Sequence, residues 1–106
     1  KMNVFHFFKE AVLTAIDGLV REGQLPDGLD LSRVTVDPPK DPTHGDMAIN
    51  AAMVLAKSAG KNPREIAKML AHAIQKFPNG SSVNIAGPGF INLTLTPEFW
   101  QSQLVT

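Results

Sequence analysis

The chain has 106 residues, 43% of them hydrophobic, which suits one globular domain with its own core and is too apolar for a disordered segment. Ten basic residues balance ten acidic ones and cysteine is absent, so neither strong autonomous nucleic-acid binding, which depends on unbalanced Lys and Arg, nor a disulfide framework is expected. No apolar run approaches the ~20 residues of a membrane span, and the short VFHFF start lacks a signal-peptide cleavage site, so a cytoplasmic domain without membrane contact is expected.

Residues 4–22 form the first expected element, an amphipathic helix. Phe5, Phe8, Val12, Ile16 and Leu19 recur at three- and four-residue steps, with Lys9, Glu10, Asp17 and Arg21 elsewhere. Met2 reads as the native start and Lys1 as a remnant of expression. Gly23 stops the helix, and residues 24–31, with Pro26 and Gly28, read as a loop. Val34-Thr35-Val36 is a short strand by β-branched content, halted by Pro38-Pro39. Asp46 and Asn50 are both N-cap candidates for the next helix. With Asn50 as the cap, Asp46–Ile49 is free to be a second strand. Ala51, Ala52 and Ala56 let that helix approach a neighbour closely, and Gly60 ends it.

Asn62-Pro63-Arg64-Glu65 then starts a further helix, with Asn62 as cap, Pro63 in the first turn and Glu65 at the capping-box position. Its buried stripe is expected at Ile66, Leu70, Ala73 and Phe77. A turn at Pro78–Ser82 leads to a strand at Val83-Asn84-Ile85. Gly87-Pro88-Gly89 connects it to a last strand within AGPGFINLTL, Ala86–Leu95. Thr96-Pro97-Glu98 opens another helix, and the sequence runs out at Thr106 after barely two turns, as expected of a piece of a longer chain. The order α, β, β, α, α, β, β with short connections favours antiparallel pairing and helices on one face, an α+β domain.

Charge is unevenly spread. From Glu10 to Asp46 eight acids face only Arg21, Arg33 and Lys40, whereas from Lys57 to Lys76 five cations face Glu65 alone. Such asymmetry orients an anionic partner, or marks an ordinary solvated helix face. His6, His44 and His72 fall in three separate segments without cysteine, so no metal site is expected. In His44-Gly45-Asp46, a tight turn with Asp46 bonded to nearby backbone amides is the preferred reading over a catalytic pair. There is no P-loop or dinucleotide fingerprint, and Ser81 and Ser82 have no His partner at a signature spacing. No catalytic residue is expected.

One residue of the last strand stands out. Ile91, Leu93 and Leu95 share a face by alternation, which leaves Phe90 with Asn92 and Thr94 on the other. A ring there is either a second buried layer or a platform for something outside the domain. Phe90 to stack and Asn92 to offer a donor and an acceptor make a small kit for one splayed base, joined by Asn84 and Thr35 if their strands are adjacent.

The segments HGDMAINAAMVLAK (His44–Lys57), GKNPREIA (Gly60–Ala67) and AGPGFINL (Ala86–Leu93) together resemble the N-terminal additional domain of bacterial arginyl-tRNA synthetases, from about Phe5 to Trp100. The resemblance implies a two-layer α-β-β-α-β-β domain and a short strand near Asp46–Ile49. It implies a parent enzyme that joins arginine to tRNA(Arg) with ATP and Mg2+ in a catalytic domain elsewhere in the same chain. The class I nucleotide-binding signatures are absent here, so the domain itself carries neither cofactor nor catalysis. It further implies contact with the D-loop at the tRNA elbow through an aromatic and an amide, which by motif position are Phe90 and Asn92. Phe replaces the Tyr of some relatives and keeps the stacking face. Asn84 joins them, and Lys61, Arg64 and Lys68 are the expected phosphate contacts. A monomer is expected. A stand-alone RNA-binding or protein-interaction adaptor, and a bracing module with Phe90 buried, are the alternatives.

Overall fold

A computed structural model describes residues 3–75 and 82–97 of the chain. Helix α1 spans Val4–Arg21. Asn3 caps it, its Oδ1 accepting from the amides of Phe5 and His6 at 3.0 and 3.2 Å. Phe8, Val12, Ile16 and Leu19 are its buried stripe, and Phe5 packs partly buried against the same core. At the far end Gly23 has φ 79°, its amide donates to the Val20 carbonyl, and that of Gln24 donates to the Leu19 carbonyl. This is the paired C-terminal closure that glycine permits. Gly60 ends helix α2 (Ala51–Ala59) in the same way with φ 67°. Helix α3 (Pro63–Ile74) starts as expected, with Asn62 Oδ1 accepting from the Arg64 amide at 2.9 Å and Pro63 in the first turn.

The strands are β1 (Val36–Asp37), β2 (Met47–Ile49), β3 (Ser82–Ala86) and β4 (Phe90–Thr94), with a 3-10 turn at Pro42–His44 between the first two. They form one antiparallel sheet in the order β1-β2-β4-β3. Val36, Met47, Ile49, Ile91 and Leu93 point into the core with the helical stripes, and Val83 and Ile85 cover its β3 flank. The pairings Asp37↔Ala48, Ala48↔Asn92 and Asn84↔Asn92 set four residues in a row across the opposite face. The expected two-layer α+β fold is therefore observed, its middle helix divided into α2 and α3 at Gly60.

Several local expectations are corrected. The first strand begins at Val36, not Val34. The Thr35 amide is taken instead by Asn50 Oδ1 at 2.7 Å, and Asn50 Nδ2 donates to the Arg33 carbonyl at 3.1 Å. A side-chain amide thus does there what a neighbouring strand would do, and Asn50, although at the N-cap position of α2, makes no side-chain cap bond. The second strand is Met47–Ile49, one residue shorter than expected. Asp46 does not serve nearby amides. Its Oδ2 accepts from the amide of distant Leu95 at 2.7 Å, and its own amide donates to the Leu93 carbonyl at 2.7 Å. Gly45 enables this close approach with φ 103°, since a Cβ would stand 2.6 Å from the Leu93 carbonyl oxygen.

The α3 stripe is Ile66, Ala67, Leu70, Ala71 and Ile74, with Ala73 only partly buried. The buried residues recur at i, i+1, i+4, i+5 and i+8, a stripe that leaves Ala73 at its edge. Phe77 lies outside the described residues. So do residues 78–81 of the expected turn, whose last residue, Ser82, opens β3, and the final helix beyond Pro97.

Candidate functional site

The open face of the sheet is the floor of a cavity of about 490 Å³. Phe90 and Asn92 of β4 and Ala48 of β2 form the floor. The β3–β4 turn, Gly87 and Pro88, forms one wall, and the segment from Asp37 to Asp41 with His44 forms the other. Phe90 is 39% exposed, so it is not part of the core, whereas its chain neighbour Ile91 is 0% exposed. Strand alternation alone separates these two fates.

Asn92 is 7% exposed and is the only buried polar residue among the described residues. Its side chain has no hydrogen-bond partner among them, yet no enclosed side-chain nitrogen or oxygen is left unpaired. The amide therefore opens onto the cavity with donors and acceptor unspent. A near-buried amide kept available in this way costs stability unless something fills its bonds. Asn84 is directly opposite on β3 and exposed, beside the cavity rather than in its lining. Thr35 does line it.

The rim carries mixed charge. Asp37, Asp41, His44 and Lys40 all border the cavity, and Lys40 is the only Lys or Arg among its lining residues. The Thr43 backbone amide and then its hydroxyl hold the Asp41 carboxyl below its usual range. Those bonds, at 2.9 and 2.7 Å, fix the 3-10 turn.

The three expected cations have different immediate surroundings, although Arg64 and Lys68 stand one turn apart on α3. Lys61 is exposed at the α2–α3 junction. Arg64 Nη1 donates to the Gly87 carbonyl at 2.5 Å, so its guanidinium is tied to the cavity's turn. Lys68 instead lines a second groove, between α1 and α3, with Gly18, Glu22 and His72.

Sequence reasoning missed the far wall. Pro38-Pro39 was legible as a strand stop, but not as a stiff segment arching beside the open face. The connection from Asp37 to Met47 is too long for a tight hairpin between paired strands, and that length was the available signal. The arrangement can hold a flat ring against Phe90 and satisfy its edge from Asn92. Among the described residues no cluster of His, Asp or Glu is placed to hold a metal ion, and no described helix is long and apolar enough to cross a membrane.

Comparison with known proteins gives a consistent result. The family model for the arginyl tRNA synthetase N terminal domain matches residues 6–95. An arginine–tRNA ligase of Parvibaculum lavamentivorans is 54% identical over 103 residues, which are 97% of this chain and 18% of that protein. One from Methylobacterium sp. (strain 4-46) is 53% identical over 97 residues, 92% of this chain and 17% of the ligase. One from Rhodospirillum rubrum is 51% identical over 105 residues, 99% of this chain and 18% of the ligase. The chain spans less than a fifth of the length of these curated relatives.

Proposed function

The chain belongs to the family of arginyl-tRNA synthetase N-terminal domains, and from that premise we propose that it is the tRNA-elbow-binding domain, itself non-catalytic, of an arginine–tRNA ligase. Residues 1–106 are one domain of that ligase. Elsewhere in the same chain, a catalytic domain uses ATP and Mg2+ to join arginine to tRNA(Arg), in the cytoplasm and as a monomer. A D-loop base leaves its stack and lies on the Phe90 ring. Asn92 reads its edge, and Asn84 extends the polar surface beside it. Lys61 and Lys68 contact phosphates beyond the base site.

The observation that carries this reading is a 39%-exposed aromatic ring and an unpartnered amide sharing one cavity. Ring stacking is sequence-tolerant and contributes about 1–3 kcal/mol per base, while the amide supplies selectivity through unmet hydrogen bonds. The exposure of Phe90 favours a platform over a bracing module, in which the ring would be buried.

The test is steady-state aminoacylation by the parent ligase carrying Phe90→Ala or Asn92→Ala. KM for tRNA(Arg) should rise, while KM for arginine and for ATP at saturating tRNA should stay unchanged. Unchanged KM for tRNA in both variants would refute the reading.

A further inference from the structure

Arg64 occupies the second position of α3, where the helix dipole disfavours a cation. Helix electrostatics do not explain it there, but its contact does. Its guanidinium donates at 2.5 Å to the carbonyl of Gly87 in the turn that walls the cavity. The same first helical turn meets the same connection a second time. A Cβ on Gly89 would stand 3.1 Å from Pro63 Cβ and 3.3 Å from the Pro63 carbonyl, so turn and helix are already in close contact. The turn itself runs through φ 55° at Gly87 and φ 146° at Gly89, conformations glycine reaches freely and also leaves freely. Within it the Gly89 amide donates to the Ala86 carbonyl at 3.3 Å, a long bond. The Ala86↔Phe90 pair closes the turn on its strand side, and the Arg64 bond ties its outer side, at Gly87, to the helix.

We propose that Arg64 is a positioning residue that locks the Gly87–Gly89 turn onto α3, and thereby sets the cavity wall and the Phe90 ring for the base, rather than a phosphate contact. The proposal rests on the reading of Phe90 as a base platform. The tie runs from the Asn62 cap through Arg64 to Gly87, so the helix start and the strand turn are one rigid corner.

Two measurements test it. The first needs no RNA: in this chain, Arg64→Ala should accelerate amide hydrogen exchange at Gly89 and Phe90 while leaving the Ile91 and Leu93 amides protected. Unchanged exchange at Gly89 and Phe90 would overturn the tie. The second uses a tRNA(Arg) transcript and the parent ligase, with Arg64→Ala, Phe90→Ala and the double variant titrated at several salt concentrations. Arg64→Ala should weaken binding about fivefold, the worth of one hydrogen bond, with the slope of log affinity against log salt unchanged. The double variant should bind no more weakly than Phe90→Ala alone, because a turn that positions an absent ring has nothing left to position. A slope lowered by about one unit identifies a phosphate contact and overturns the proposal, as do additive losses. If Phe90→Ala itself leaves binding unchanged, the platform reading fails, an outcome separate from the exchange result.

Discussion

The adjacent residues Phe90 and Ile91 permit a direct comparison, since one peptide bond separates a ring facing the cavity from a side chain wholly inside the core. Ile91 is 0% exposed, against the helices. Truncation to Ala removes its transfer energy and leaves a cavity that the packed surroundings close only in part, a cost of about 2–5 kcal/mol. Phe90 is 39% exposed, so roughly three-fifths of the ~1.5–3 kcal/mol of full Phe burial is at stake, or about 1–2 kcal/mol. No enclosed void is created, because the space opens onto a concavity that water fills. At about 4 °C of melting temperature per kcal/mol for a domain of this size, Phe90→Ala should melt about 4–8 °C lower and Ile91→Ala about 8–20 °C lower. Binding should order the two oppositely. Loss of one stacked base costs about 1–3 kcal/mol, which is a rise of about 5- to 150-fold in KM for tRNA(Arg) in the parent ligase. Ile91→Ala below its melting temperature should change that KM much less. Thermal melts beside aminoacylation kinetics on the same variants decide the matter. If Phe90→Ala lowers the melting temperature as far as Ile91→Ala, the ring is structural and the argument from alternation and exposure is wrong.

Asn92→Ala should relax discrimination at one D-loop base while leaving melting within a few degrees, as read by charging a set of tRNA(Arg) transcripts that differ at single D-loop positions. Gly45→Ala should destabilise by about 1–3 kcal/mol or more, since φ 103° is strained for any L side chain and its Cβ would meet the Leu93 carbonyl at 2.6 Å; denaturant unfolding measures it. Lys61→Ser in the parent ligase should lower the slope of log affinity against log salt by about one unit. Asp41 is held below the usual carboxylate range by Thr43, so its folded-state pKa is below the unfolded one. Its contribution to stability is complete above the unfolded pKa and is lost as pH falls through the folded one. Melting temperature should therefore decline less steeply below about pH 4 in Asp41→Asn than in the parent protein.

Much of the fold was written in local signals. The α1 stripe, Asn62-Pro63 at the start of α3, the glycine stops at Gly23 and Gly60, and the alternation of β4 depend on residues a few positions apart. Short-range sterics and capping bonds decide such features before any tertiary contact forms. The pairing of Phe90 with Asn92 was legible for the same reason. Motif position likewise pointed to the family, which the match over residues 6–95 shows.

Tertiary structure decided what depends on partners far along the chain. Asn50 bonds Thr35 and Arg33 instead of capping its helix, and Asp46 receives the Leu95 amide. Periodicity carries no information about either bond, since each polar side chain had a plausible local use. The wall from Asp37 to Asp41 and the tie from Arg64 to Gly87 are of the same kind. Residues 23 apart meet only because α3 and the β3–β4 turn pack together. The sequence therefore determined which groups bring a stacking face and an amide to the last strand. Long-range packing determined that Phe90 and Asn92 share a walled cavity, that Arg64 faces its turn, and that Lys68 does not line it, because a side chain's neighbours across the fold are fixed by the burial of the core and not by its own surroundings in the chain.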